Sequence, residues 1–254
     1  MGQGTMRYLV GPLRAAAALA PLSLLGSLAA RAADEAAQPP HPFEAEIAAF
    51  EAQDRATPPP AGAILFVGSS SIRLWDLQRD FPDLATTNRG FGGSQMSDAA
   101  HFAERVIVPY APRLVVLYEG DNDLASGKMP EDVLSDLEAL LAKTRLALPE
   151  TRWLVLSVKP SLARWHLVDQ IRKTNDLLQA AARRDERLIY VDVFSPMLDE
   201  RGEVAKELLA ADGLHLSRAG YDLWTAIVRP CLVPTPRAGP QRFSATTDPS
   251  VAPQ

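Results

Sequence analysis

An α/β three-layer sandwich, with a five-stranded parallel sheet between two layers of helices, is the fold class this sequence predicts. Short apolar runs recur at Ala63–Val67, Leu114–Tyr118, Trp153–Val158 and Leu188–Val193, with a weaker one at Leu84–Asn88. Runs of this kind fill strands buried on both faces. Helical periodicity separates them, at Met96–Val106, Pro130–Leu146, Leu167–Arg184 and Ser217–Arg229. Strand and helix therefore alternate, which calls for parallel pairing with crossover helices on both faces of the sheet.

Composition permits such a core. The 254 residues are 47% hydrophobic and 22% charged, which excludes a disordered, highly charged chain. An α/β domain of roughly 200 residues needs no disulfide or metal staple. The single cysteine, Cys231, has no partner for an intramolecular disulfide, and its apolar neighbours Ile227–Val233 place it in the core.

At the N-terminus, residues 1–32 read as a secretory signal. Arg7 and Arg14 precede the small, apolar stretch Ala15–Ala30, and Ala30-Arg31-Ala32 fits the small-x-small cleavage rule. An uncleaved anchor is the competing reading, but Pro21 and Gly26 interrupt a run already short of the ~20 residues a spanning helix needs. No stable membrane anchor is expected after cleavage, and the expected location is periplasmic or secreted. The segment holds three arginines and no acidic residue, so its removal takes the net charge from −5 to −8. A balance this acidic argues against nucleic acid as a partner.

Residues 33–60 form a leader with one amphipathic helix, Phe43–Phe50, closed off by Pro58-Pro59-Pro60. The folded domain is expected over 61–233. Residues 234–254, rich in Pro, Ser and Thr, are expected to be disordered. Within the parallel sheet, loops leaving the C-terminal ends of the strands gather at one edge, where ligands bind.

Those loops carry the reactive residue types. Gly68-Ser69-Ser70-Ser71 follows the first strand, Asn88-Arg89-Gly90-Phe91-Gly92-Gly93-Ser94 the second, and Glu119-Gly120-Asp121-Asn122-Asp123 the third. Ala211-Asp212-Gly213-Leu214-His215 precedes the last helix. Taken singly, each has an ordinary use: serines cap helices, glycines turn, and Asp or Asn forms Asx turns. Together they supply what acyl transfer requires. A serine hydroxyl becomes nucleophilic when a histidine takes its proton, and a carboxylate orients that histidine. Glycine N–H groups and an asparagine amide can hold the oxyanion. Of the four histidines, only His215 lies in a loop three residues after a carboxylate.

In the order and spacing of these four blocks the sequence resembles the SGNH (GDSL-like) hydrolases, over Ile64 to about Leu232. Trp75, the Asn88–Gly93 segment and His215-Leu216-Ser217 are most similar to the platelet-activating-factor acetylhydrolase-like branch. The resemblance implies a flavodoxin-like three-layer fold. It also implies Ser70 as nucleophile, His215 as base, Asp212 as its orienting carboxylate, and Ser70, Gly93 and Asn122 as oxyanion donors. Two positions depart from the family pattern: Ser69 stands where Asp usually precedes the nucleophile, and Ser94 where Asp often follows the glycine. Ser69 and Ser71 thus remain alternative hydroxyls. No cofactor or metal is implied.

Lys159-Pro160-Ser161-Leu162-Ala163-Arg164-Trp165 follows the fourth strand and should reach the same edge. There Arg164 and Trp165 could hold an anionic or sugar-like group, or simply pack the loop. Tyr118, Glu119 and Asp121 share that ambiguity. The function expected is a serine esterase acting on a small-molecule or saccharide ester with an acetyl or short acyl group. An O-acetyltransferase using the same residues is the alternative, and a phosphate-binding module with Gly68–Ser71 at a helix N-terminus is a third reading.

Overall fold

The computed structural model describes residues 1–2 and 39–233. The expected cleavage site and the Pro-rich tail lie outside the described residues. The fold belongs to the second of two compact units, Phe43–Gln254.

Five strands, β1 (Ile64–Gly68), β2 (Thr86–Gly90), β3 (Leu114–Tyr118), β4 (Arg152–Leu156) and β5 (Leu188–Val191), form one sheet. Every pairing is parallel and the order is β2-β1-β3-β4-β5. This is the flavodoxin-like order, whose switch point lies between β1 and β3. Gly68 is in register with both Gly90 and Tyr118, so β2, β1 and β3 end level and their loops start side by side.

Period-two alternation divides the strand residues between the two faces. Leu65, Val67, Val115, Leu117 and Val155 join one buried cluster with Phe102, Leu137 and Leu178. Ile64, Phe66, Val116, Leu154 and Leu156 join another with Trp75, Trp224 and Val228. The helices that cover the sheet are α1 (Glu44–Ala56), α2 (Ser70–Arg73), α3 (Leu77–Asp80), α4 (Met96–Val106), α5 (Asp121–Ala125), α6 (Pro130–Arg145), α7 (Val168–Ala182) and α8 (Arg218–Leu232).

Several boundaries differ from the sequence reading, each for a local reason. β4 and β5 stop two residues before their apolar runs end. The Ser157 hydroxyl accepts the N–H groups of Val193 and Phe194, both at 2.9 Å, and the Asn175 amide takes both backbone groups of Val158. Side chains there replace ladder partners. α1 runs six residues past Phe50, because Arg105 pairs with Glu44 and Glu51, and Asp54 with Arg89 and Tyr110. Ile47 is fully buried in the first cluster, so the folded unit takes in α1 and begins well before residue 61. Cys231 is only partly buried, at the edge of the second cluster rather than within it. Among the described residues no helix is long and apolar enough to cross a membrane.

Candidate active site

At the end of β1 the chain must turn hard against β3. Gly68 has φ 146°, and a Cβ there would stand 2.1 Å from the Tyr118 carbonyl oxygen, so only glycine fits. Ser69 N–H then donates to that oxygen at 3.2 Å, and Ser70 opens α2. This geometry separates the three hydroxyl-bearing residues. Ser69 and Ser71 are each 2% exposed, whereas Ser70 is partly open and lies at hydrogen-bond distance from the ring of His215.

The Ser70 Oγ to His215 Nε2 distance is 3.1 Å, and His215 Nδ1 lies 2.6 Å from Asp212 Oδ2. The other Asp212 oxygen accepts the N–H groups of Leu214 and His215, both at 2.9 Å. The His215 side chain, then those two N–H groups, hold the Asp212 carboxyl well below the usual carboxylate range. Asp212 therefore stays an acceptor, which fixes the Nδ1–H tautomer of His215 and leaves Nε2 free to take a proton.

The loops that leave β1, β2 and β3 side by side carry three potential anion donors. Gly93, exposed and with φ 92°, has an N–H with no acceptor among the described residues, and the same is true of Ser70 N–H at the first position of α2. Asn122, second residue of α5, donates one amide hydrogen to the Ser94 carbonyl at 2.9 Å and retains the other. The Asp123 carboxylate staples this loop in place by accepting from Gly120 and Met96 N–H and from Lys128, each at 3.1 Å.

Sequence reasoning missed three supports of this arrangement. Ser94 donates its hydroxyl to Glu119 at 2.5 Å, and Glu119 is 1% exposed with its second oxygen unpartnered among the described residues. Burial pushes the Glu119 carboxyl well above the usual range; the Ser94 bond opposes this, and the charges of Asp123, Asp98 and Asp121 add to it. Lys159, 1% exposed, pairs with Asp121 at 3.1 Å. Arg164 faces inward, its guanidinium 2.7 Å from Asp121 Oδ1 and donating to Asn122 Oδ1 at 3.0 Å. No spacing rule in the sequence pairs residues 42 apart, although a Lys and an Arg in the loop after β4 signalled cations at this edge. Trp165 packs against the second apolar cluster, and the Tyr118 ring lies 5.0 Å from that of Trp224. Among the described residues, no three His, Cys, Asp or Glu side chains are grouped to hold a metal ion.

A sequence profile described as the GDSL-like lipase/acylhydrolase family matches residues 72–223, more than half of the chain. The chain belongs to that family. The matched span contains Gly93, Asn122, Asp212 and His215 but starts two residues after Ser70, so the place of Ser70 in this GDSL-like hydrolase rests on its hydrogen bond to His215.

Solved structures share the fold. A protein from Streptococcus pneumonia, described as a candidate platelet activating factor, is 23% identical with TM-score 0.65, covering 84% of this chain and 100% of its own. A GDSL-like lipase from Bacteroides thetaiotaomicron is 18% identical with TM-score 0.63, covering 73% and 96%. An acetylxylan esterase from Geobacillus stearothermophilus is 16% identical with TM-score 0.55, covering 66% and 94%. No curated protein matches the sequence.

Proposed function

We infer that this GDSL-like hydrolase cleaves acetyl or short-acyl carboxylic esters of small molecules or saccharides through an acyl-enzyme on Ser70. The observation that carries the reading is the line Ser70 Oγ, His215, Asp212, with distances of 3.1 and 2.6 Å. Ser70 Oγ attacks the ester carbonyl carbon while His215 Nε2 takes its proton. The carbonyl electron pair moves onto oxygen, where Ser70 N–H, Gly93 N–H and the free Asn122 amide hydrogen meet the developing charge. Collapse expels the alcohol, which takes the proton from His215. Water then repeats the sequence on the acyl-enzyme, releasing the carboxylic acid and restoring Ser70.

The Asp212 side chain is 50% exposed and that of His215 is 32% exposed. A site this open suits an acyl group carried on a bulky or polymeric alcohol, and the acetylxylan esterase among the structural neighbours supports an acetyl group. Export of the enzyme rests on the charge and apolar pattern of residues 1–32.

A chain-length series of 4-nitrophenyl esters and a panel of acetylated saccharides, each run with Ser70→Ala as blank, tests the reading. Expected is Ser70-dependent hydrolysis that falls off beyond short acyl chains. Transfer of acetyl to an added saccharide in preference to water would make the chain an O-acetyltransferase. Ester hydrolysis equal to the blank overturns the proposal.

A further inference from the structure

Within the proposed oxyanion hole, an asparagine amide works only if its N–H₂ end faces the substrate. The two ends of a carboxamide are nearly the same size, so packing alone does not choose between them. Asn122 is partly exposed, and hydrogen bonds must therefore set its orientation.

Arg164 supplies one of the two that do. A guanidinium can only donate, so the Asn122 atom that meets Arg164 at 3.0 Å must be the carbonyl oxygen, Oδ1. Nδ2 is then turned to the Ser94 carbonyl at 2.9 Å, an acceptor that agrees with the assignment. A flipped amide would set N–H₂ against guanidinium and carbonyl against carbonyl, two repulsions in place of two bonds. Arg164 is in turn fixed by Asp121, 2.7 Å from its Nη1, and the second Asp121 oxygen is held by buried Lys159 at 3.1 Å. Two cations share one carboxylate, so the group keeps one excess positive charge next to the amide that meets the oxyanion.

We propose that Arg164 is a positioning residue for ester hydrolysis: braced by Asp121 and Lys159, it holds the Asn122 amide with N–H₂ toward the oxyanion. This rests on the reading of Asn122 as an oxyanion donor. It differs from use of Arg164 to grip an anionic substrate, because the guanidinium is taken up by the protein and its side chain is only 18% exposed.

The experiment is a double-mutant cycle on hydrolysis of 4-nitrophenyl acetate. Arg164→Ala should lower kcat about 10- to 100-fold with KM within about twofold, since only the transition state carries the oxyanion. In the Asn122→Ala background the same change should have no further effect on kcat, because the residue it positions is gone. Added methylguanidinium should restore part of kcat in Arg164→Ala and none in the double variant. Arg164→Lys, which cannot bridge Asp121 and Asn122 together, should lose nearly as much as Arg164→Ala, and it carries the test if the alanine variant fails to fold.

Losses at Arg164 and Asn122 that multiply in the double variant overturn the proposal, as does a rise in KM at unchanged kcat. Wild-type kcat in Asn122→Ala alone would instead remove the oxyanion reading beneath it, so the two failures can be told apart.

Discussion

Tyr221, on the first turn of α8, donates its hydroxyl hydrogen to the Ser71 carbonyl at 3.0 Å and so ties the helix that follows His215 to the turn that carries Ser70. Trp75 N–H goes to Ile72, which leaves the Ser71 carbonyl to Tyr221. A second tie runs parallel to it, from Arg218 to Asp80 at 2.7 Å and from Asp80 to Trp75 Nε1 at 3.0 Å. Ser70 and His215 are 145 residues apart, and these bonds keep their side chains in reach.

Tyr221→Phe removes the first tie and leaves a buried carbonyl without its donor, at a cost of about 1 to 3 kcal/mol. Thermal or urea unfolding should show that loss, with a smaller fall in kcat because the Arg218–Asp80 tie remains. Unchanged stability would mean that the Ser71 carbonyl finds another partner.

Only one of the three clustered hydroxyls lies 3.1 Å from His215. Ser70→Ala should therefore lower ester hydrolysis by about 10⁴-fold or more, while Ser69→Ala and Ser71→Ala keep measurable turnover. Fluorophosphonate labelling followed by peptide mapping checks the assignment. A Ser70→Ala rate above a tenth of wild type would move the nucleophile elsewhere.

On the acid side, kcat/KM should fall with pH as one proton is taken up, with a limiting slope of one in the logarithmic plot. In the proposed mechanism His215 Nε2 accepts the Ser70 proton. Asp212 contributes no second proton, because His215 and two backbone N–H groups hold its carboxyl well below the usual range. A slope of two would show that Asp212 titrates as well. EDTA should leave the rate unchanged.

Glu119 gives stability its own pH dependence. Its carboxyl is raised by burial, so the folded state holds the proton more tightly than the unfolded chain does. The sign follows from linkage: the contribution is fully present below the unfolded value of about 4.3 and is lost as pH rises through the folded one. Measured against Glu119→Gln, which cannot titrate, the wild-type Tm should fall steadily from about pH 4 toward alkaline pH. Parallel Tm curves would place the Glu119 proton outside the linkage.

What could be read from the sequence tracks the range of the interactions. β3 and α4 match their apolar patterns residue for residue, since alternation and helical period are local signals. Asp212 and His215 were legible for the same reason, being three residues apart in one loop. The ends of β4 and β5 were not, because Ser157 and Asn175 set them from other elements. The short helix α5 was also hidden: Glu119–Asp123 reads as a polar loop or Asx turn, yet the chain is helical from Asp121 to Ala125, with the Asp123 carboxylate accepting from Gly120 and Met96 N–H. Ser94–Glu119 and Arg164–Asn122 join loops that meet only once the sheet order is known, and no pattern along the chain announces them.

Asn122 offers the sharpest separation between a binding and a catalytic role. Asn122→Ala removes the proposed oxyanion donor, whose bond strengthens only as charge develops on the carbonyl oxygen, so kcat should fall about 10²- to 10³-fold while KM changes little. Asn122→Asp should be worse than Asn122→Ala. It sets a carboxylate at the proposed oxyanion site, and repulsion between two negative charges there exceeds the loss of one hydrogen bond. The neighbouring Arg164 softens this penalty by pairing with the new carboxylate, which makes the comparison a lower limit on the repulsion. Both variants should still react slowly with a fluorophosphonate, because Ser70 and His215 are intact. Steady-state profiles of the two variants on 4-nitrophenyl acetate, with circular dichroism as the check on folding, give the answer. An Asn122→Ala enzyme running at the wild-type kcat would leave Asn122 with a purely structural place in α5 and leave the oxyanion to the N–H groups of Ser70 and Gly93.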